Sequence, residues 1–235
     1  MGPGKEGLQR LDRDKLHPMQ VQQFGEHVLK LDVLEKVWMP TPHGVHLGNM
    51  ICTMDFRDAK VLELGTGCGL HSILLVYRGA SVLTVTEIEQ TSMDNARHNI
   101  EKHGVQIPVD YQIADWTHVE GGPYDVLIAN PPFGKSGKAY RRYFIDKLIL
   151  DAHTLLKKGG RLVFVQSSMA DIPRSIGLMH ECGMKVRVVG ETDGPFRDYY
   201  FDHPDYIVEM AQVPGAYSVR NGRHYERLIV FEARV

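Results

Sequence analysis

Four short clusters in this chain combine residue types and spacings that can do chemistry. The first is Glu63-Leu64-Gly65-Thr66-Gly67-Cys68-Gly69. Alternating glycines let the backbone turn sharply and let a ligand come close to the peptide groups. A dinucleotide fingerprint begun at Gly65 and Gly67 requires glycine where this chain has Leu70, so a pyrophosphate-binding reading falls. The second is Glu87, directly after Val85-Thr86. A carboxylate there can accept both ribose hydroxyl protons of a nucleoside, or can simply face the dipole of a following helix; Glu89 suits the latter role. The third, Asp115-Trp116, offers a carboxylate for an adenine amino group and an indole for apolar cover, or is a plain loop feature. The fourth, Asn130-Pro131-Pro132-Phe133, follows the apolar run Val126-Leu127-Ile128-Ala129. Two prolines remove backbone donors and fix φ, so the Asn130 amide oxygen and the Pro131 carbonyl can form a rigid pair of acceptors for an N–H₂ group. Phe133 then lies against a planar substrate.

The elements that must carry these clusters are legible from residue 60 onward. Short β-branched runs alternate with amphipathic helices, the sequence form of a parallel sheet with helical crossovers and hence a doubly wound α/β fold. Strands are expected at Val61–Leu64, Ser81–Thr86, Val109–Ile113, Asp125–Ala129, Arg161–Gln166, Lys185–Val189 and Leu228–Ala233. Helices are expected from Leu70, over Thr91–His103, over Arg141–Leu156 and over Asp171–Cys182, with Gly104, Gly159 and Gly183 free to take the left-handed closing conformation. Each cluster then falls where a strand ends. Arg220-Asn221-Gly222-Arg223 reads as a tight turn.

Before this region, residues 1–16 read as a mobile tail and 17–59 as a helical lead-in. Val21, Phe24, Val28, Leu31 and Leu34 recur at helical spacing, and Pro40 and Pro42 stop the helix. The domain proper spans 60–235, with an insertion at about 191–217 that is dense in Pro, Gly, Asp and aromatics and suits specificity or an interface.

Composition excludes several classes. With 27 Lys and Arg against 29 Asp and Glu, the chain lacks the basic excess of a nucleic-acid binder. Its apolar runs are too short to cross a bilayer, and its three cysteines, Cys52, Cys68 and Cys182, have no metal or redox spacing, so a cytoplasmic protein without a membrane partner is expected. His43 and His46 flank Gly44, but no third ligand stands out and no metal site is expected.

In their order and spacing the clusters resemble the class I S-adenosylmethionine-dependent methyltransferases that carry an Asn-Pro-Pro-aromatic motif. That group includes the release-factor glutamine methyltransferases and the small-domain methyltransferases of guanine N2 and adenine N6. The likeness covers about residues 61–189, and Glu87-Ile88, Asn95-Ala96-Arg97 with Asn99, Gln166-Ser167-Ser168 and Pro195-Phe196 extend it. It implies a Rossmann-like sheet of seven mostly parallel strands, the last antiparallel. It implies S-adenosylmethionine as cofactor and S-adenosylhomocysteine as product. Glu63, Gly65, Thr66, Gly67 and Gly69 would border the methionine moiety, Glu87 and Ile88 the ribose, Asp115 and Trp116 the adenine, and Asn130 to Phe133 would receive the target nitrogen. The chain departs from the bacterial release-factor enzymes in Phe133, where they have Tyr, in lacking their long helical N-terminal domain, and in the 191–217 insertion.

The expected activity is methyl transfer to a nitrogen of an amide or amine, with a protein glutamine, a small planar molecule or a nucleobase as acceptor and the nucleobase least favoured by charge. A small-molecule methyltransferase acting on another nucleophile and a non-catalytic cofactor-binding module are the alternatives, the latter disfavoured by the intact Asn130 cluster. Lys135, Lys138, Arg141, Arg142 and Lys147 form either a phosphate contact or a solvated helix face. Arg197, Tyr199, Tyr200, His203 and Tyr206 are candidates for the substrate pocket, and Phe201 for packing.

Overall fold

The computed structural model describes residue 11 and residues 15–116, 118–132, 142–202 and 204–235. Phe133, Lys135, Lys138, Arg141 and His203 lie outside the described residues, as do the side chains of Tyr199 and Tyr206 and most of the expected tail.

Eight strands form the main sheet: β3 (Lys60–Leu64), β4 (Val82–Glu87), β5 (Val109–Ile113), β6 (Tyr124–Ala129), β7 (Leu156–Ser167), β8 (Lys185–Pro195), β9 (Ser218–Arg220) and β10 (Arg223–Arg234). They lie in the order β5-β4-β3-β6-β7-β10-β8, with the short β9 paired to β10. The pairings among β3, β4, β5, β6 and β7 are parallel, whereas β10 runs antiparallel to β7 and β8. Strand order therefore reverses between β3 and β6, the switch point at which open α/β sheets collect ligands.

Helices cover both faces of this Rossmann-like sheet: α1 (Pro42–Thr53), α2 (Leu70–Tyr77), α3 (Gln90–Lys102), α4 (Tyr143–Leu155), α5 (Ile172–Glu181) and α6 (Pro204–Ala211). The period of two along each strand divides the core. Val61, Val126 and Ile128 face a cluster with α1, α2 and α3, while Leu62, Leu127 and Ala129 face one with α4 and α5. Gly104 and Gly183 take positive φ just past α3 and α5 as expected, whereas Gly159, also at positive φ, lies within β7 rather than closing α4; Asn221 and Gly222, both at positive φ, make the turn into β10.

Three expectations need correction. The lead-in over 19–37 is not helical: Gln20–Phe24 (β1) and His27–Leu31 (β2) form an antiparallel hairpin around Gly25, whose φ is +56°. Leu29 and Leu31 are buried while Val21 and Val28 are exposed, so the operative period is two rather than 3.6. Nor does Pro42 stop a helix. It is the first residue of α1, where its missing N–H costs nothing, and the Thr41 hydroxyl caps that helix by accepting from the Gly44 amide. In the C-terminal part, the expected insertion begins as strand, because β8 continues to Pro195 against β10.

The hairpin and its exit are tied to the domain by α3. The Leu34 amide donates to Asn95 Oδ1 at 2.8 Å, and both Asn95 and Asn99 donate to the Asp32 carbonyl at 2.8 Å.

Candidate active site

The register of the parallel strands sets the site. Leu64 of β3 pairs with Thr86 of β4 on one side and Ala129 of β6 on the other. The residues that follow, Gly65, Glu87 and Asn130, therefore leave the sheet at one level on neighbouring strands. Ile113 of β5 pairs with Glu87, which brings Asp115 and Trp116 to the same edge.

Gly65, Gly67 and Gly69 all adopt left-handed φ of +71°, +56° and +83°. Their tasks differ. A Cβ on Gly67 would meet nothing within 4 Å, so its backbone borders open space. A Cβ on Gly69 would come within 3.0 Å of the Ala96 carbonyl, so that glycine serves the packing of the turn against α3. A Cβ on Gly65 would lie 3.8 Å from the Trp116 indole nitrogen, so the indole stands over the turn.

Glu87 is half-buried, and its Oε1 accepts the Gly67 amide proton at 2.6 Å. Burial raises its pKa above the ordinary carboxylate value, against the lowering effect of the Gly67 and Ile88 amides. Ile88 beside it is exposed. Asp115 is also exposed, and its Oδ1 lies 2.9 Å from His118 Nδ1. Trp116 meets Phe144 edge-on at 5.3 Å.

Glu63 and Thr66 do not face this open edge. Both are buried, and Glu63 Oε2 accepts from the hydroxyls of Thr66, at 3.0 Å, and Ser72. Glu63 Oε1 lies 3.2 Å from His71 Nδ1, and His71 Nε2 lies 2.9 Å from the Gly44 carbonyl oxygen. These two residues act from beneath the turn, as a polar anchor. Cys68 is buried as well, and desolvation pushes its thiol up to about 12.

On the acceptor side, Asn130 is half-buried, Pro131 buried and Pro132 exposed. The first turn of α1 stands next to Asn130: a Cβ on Gly44 would sit 3.6 Å from Asn130 Nδ2 and 3.7 Å from His71 Nε2. The adjacent His43 approaches Glu226 of β10 at 3.3 Å with both side chains buried, and Tyr200 donates its hydroxyl to the same carboxylate at 3.3 Å. A cavity of about 580 Å³ opens beyond this turn, lined by His17, residues 35–42 including Trp38 and Pro40, and Arg197.

Several sequence candidates take other places. Tyr200 is fully buried and packs edge-on against Phe196, so it belongs to the core of the insertion rather than to an open pocket. Arg142 is buried, donates to Asp146, Ser175 and the Asp171 carbonyl, and is neither a phosphate contact nor a solvated side chain. Lys147 pairs with Asp151 one turn along α4. Phe201 is half exposed beside Phe196 and His224. Among the described residues no group of three or more His, Cys, Asp or Glu is placed to hold a metal ion, and no helix is long and apolar enough to cross a membrane. Gly44, His71, Ser72 and Glu226 were not evident from sequence, because their meaning arises only from contacts between segments distant in the chain.

The donor set fits a nucleoside sulfonium. Open backbone at Gly67, a carboxylate at the end of β4 with one oxygen already fixed, and an indole over Gly65 supply the surfaces such a molecule requires.

Residues 47–196 match the methyltransferase small domain family. Among curated proteins, the chain is 26% identical over 189 residues to a Methanocaldococcus jannaschii protein provisionally named a protein N5-glutamine methyltransferase, covering 72% of this chain and 92% of that one. It is 31% identical over 138 residues to the release factor glutamine methyltransferase of Chlorobaculum tepidum, covering 47% of each chain. The chain thus spans nearly all of the first relative and about half of the second. In fold it is similar to a 16S rRNA N2 methyltransferase of T. thermophilus solved with AdoMet and guanosine, with a TM-score of 0.63, 16% identity, and coverage of 92% of this chain and 50% of that one. It is also similar to a methyltransferase of Pyrococcus furiosus, with a TM-score of 0.56, 20% identity, and coverage of 86% and 88%.

Proposed function

The chain belongs to the methyltransferase small domain family, and from that premise we propose that it transfers a methyl group from S-adenosylmethionine to the nitrogen of a planar amide or amine, with a protein glutamine as the first acceptor to test. The observation that carries the reading is the shared register of Leu64, Thr86 and Ala129, which brings the glycine turn, Glu87 and Asn130 to one edge.

The cofactor, when bound, supplies an electrophilic methyl on sulfur. Everything else falls to the protein. In-line displacement needs alignment and exclusion of water rather than a strong base. Gly65 and Gly67 give the donor access to backbone, Glu87 accepts from the ribose with the oxygen that Gly67 leaves available, Ile88 lies beside the ribose, and Asp115 with Trp116 takes the adenine. Glu63, Thr66 and Gly69 support the turn from below. Asn130 and the Pro131 carbonyl accept the two N–H protons of the target and so favour the form whose lone pair points at the methyl group. Pro132 stiffens the segment, and Phe133 is proposed to orient the acceptor plane. The domain is taken to begin at residue 60, with the hairpin and α1 as an added wall and residues 191–217 as the acceptor-side appendage.

Similarity to protein glutamine methyltransferases over 72% and 47% of the chain favours the glutamine acceptor. The test is transfer of labelled methyl from S-adenosylmethionine to a panel: a folded release factor with its glutamine loop, a free glutamine peptide, small planar amines, and 16S rRNA. Label on the release factor at glutamine N5 supports the reading. Label on rRNA alone moves the acceptor to a nucleobase, and no label on any member defeats the proposal.

A further inference from the structure

Gly44 and Asn130 belong to segments 86 positions apart, yet the wall that Gly44 forms meets the Nδ2 end of the Asn130 amide. The Gly44 amide donates to the Thr41 hydroxyl, and its carbonyl oxygen is met by the side chain of His71. His71 stands between two acceptors, the Glu63 carboxylate at 3.2 Å and the Gly44 carbonyl at 2.9 Å, and both residues of the ion pair are buried. The two ring nitrogens of His71 thus tie the glycine turn after β3 to the first turn of α1. Thr66 and Ser72 complete the set by donating to the other Glu63 oxygen.

We propose that His71 is a positioning residue for methyl transfer: by bridging Glu63, at the root of the glycine turn, and the Gly44 carbonyl, it holds the first turn of α1 as the wall that keeps the Asn130 amide correctly oriented toward the acceptor. The inference rests on the reading of Asn130 as the acceptor clamp. A carboxamide has two unlike ends, and only its oxygen can receive an N–H proton. With Nδ2 against Gly44, the oxygen is the end left for the acceptor. If the wall retreats, the amide is free to turn and present donors to donors. Glu63 connects the same wall to the turn that borders the donor, so the separation of donor and acceptor passes through one chain of contacts.

Three substitutions separate this role from simple packing. His71→Gln places an amide N–H₂ near the Nε2 position and keeps the bond to the Gly44 carbonyl. His71→Asn places it near Nδ1 and keeps only the bond to Glu63. Gly44→Ala adds a methyl at ordinary contact distance from both His71 and Asn130 and suits a helix better than glycine. The measurements are kcat and KM on the methylated member of the panel, S-adenosylhomocysteine affinity by calorimetry, melting temperature, and the Asn130 side-chain amide resonances of labelled protein with S-adenosylhomocysteine. H71N is expected to lower kcat by about tenfold with cofactor affinity nearly unchanged, as for lost positioning, and to displace the Asn130 resonances. H71Q should recover most of the rate and the wild-type resonances. G44A, whose methyl is accommodated at ordinary contact distance, should melt no lower than wild type.

Equal rescue by Asn and Gln or a loss confined to cofactor affinity would each overturn the proposal. If the wild-type protein methylates nothing in the panel, the functional reading fails separately. The Asn130 resonances in H71N and H71Q still decide whether His71 sets that amide.

Discussion

Glu87 Oε1 accepts the amide proton of Gly67 at 2.6 Å, so the carboxylate that ends β4 also closes the glycine turn that follows β3. One side chain thus shapes the turn from the end of the neighbouring strand. Glu87→Gln keeps a carbonyl for Gly67 but removes the charge. Its expected cost is about 1.5 to 3 kcal/mol of cofactor binding, roughly ten- to a hundredfold in Kd, measured by titration calorimetry. Unchanged affinity would remove Glu87 from the ribose site.

The same residue gives binding and stability opposite pH dependences. Desolvation raises its folded pKa above the ordinary value of 4.5. Its contribution to stability is complete below that value, where folded and unfolded chains both hold the proton. As pH rises, the unfolded chain ionises first, and the folded state loses relative stability until the folded pKa is passed. Cofactor affinity, which uses the ionised oxygen, should rise across that window. Glu87→Gln should flatten both profiles, and calorimetry and urea midpoints from pH 4 upward would register either result.

Asn130→Ala should leave S-adenosylhomocysteine affinity nearly intact and lower the single-turnover rate by about a hundredfold, as expected when positioning and an electrostatic acceptor are lost together. Equal turnover in the variant would reject the clamp.

Arg142 and Lys147 should separate in urea. Removing the buried guanidinium by Arg142→Ala leaves Asp146, among the described residues, with the exposed Arg174 as its charged partner, at an expected cost of about 3 to 5 kcal/mol. Lys147→Ala breaks a half-buried pair at the solvent margin of the same helix and should change stability by less than about 1 kcal/mol.

Gly48 marks where the hairpin docks. A Cβ there would fall 2.6 Å from Phe24 Cε1 and 3.1 Å from Leu74 Cδ1. Gly48→Ala should therefore destabilise by about 1 to 3 kcal/mol through overpacking. Phe24→Leu in the same chain should return part of that loss in thermal melts.

The central sheet and the clusters at its edge were legible because the responsible signals are local. β-branched runs, terminating glycines and strand-end motifs each lie within about ten residues. The hairpin misled because Val21, Phe24, Val28 and Leu31 fit a helical period by coincidence, while the better signal, Gly25 ahead of alternating His27 to Leu31, was shorter. Pro42 misled because a proline at a helix boundary looks the same from either side. Nothing local announces that His71 meets Gly44, or that Glu226 meets His43 and Tyr200. Such partners are set by which strands become neighbours, and a buried polar residue looks like a surface one until then. Tyr200 shows the converse, an aromatic in a polar insertion that is core.

The central position of β10 between β7 and β8 imposes an order of assembly. The turn after β3, Glu87 and Asn130 are all synthesised before β7, so the donor half of the sheet has its own strands at hand early. The acceptor half does not, since β8 has no neighbour until the strand carrying Glu226 slides between it and β7. During translation, then, β8 waits as an unpaired edge open to mispairing until residues 223–234 are made.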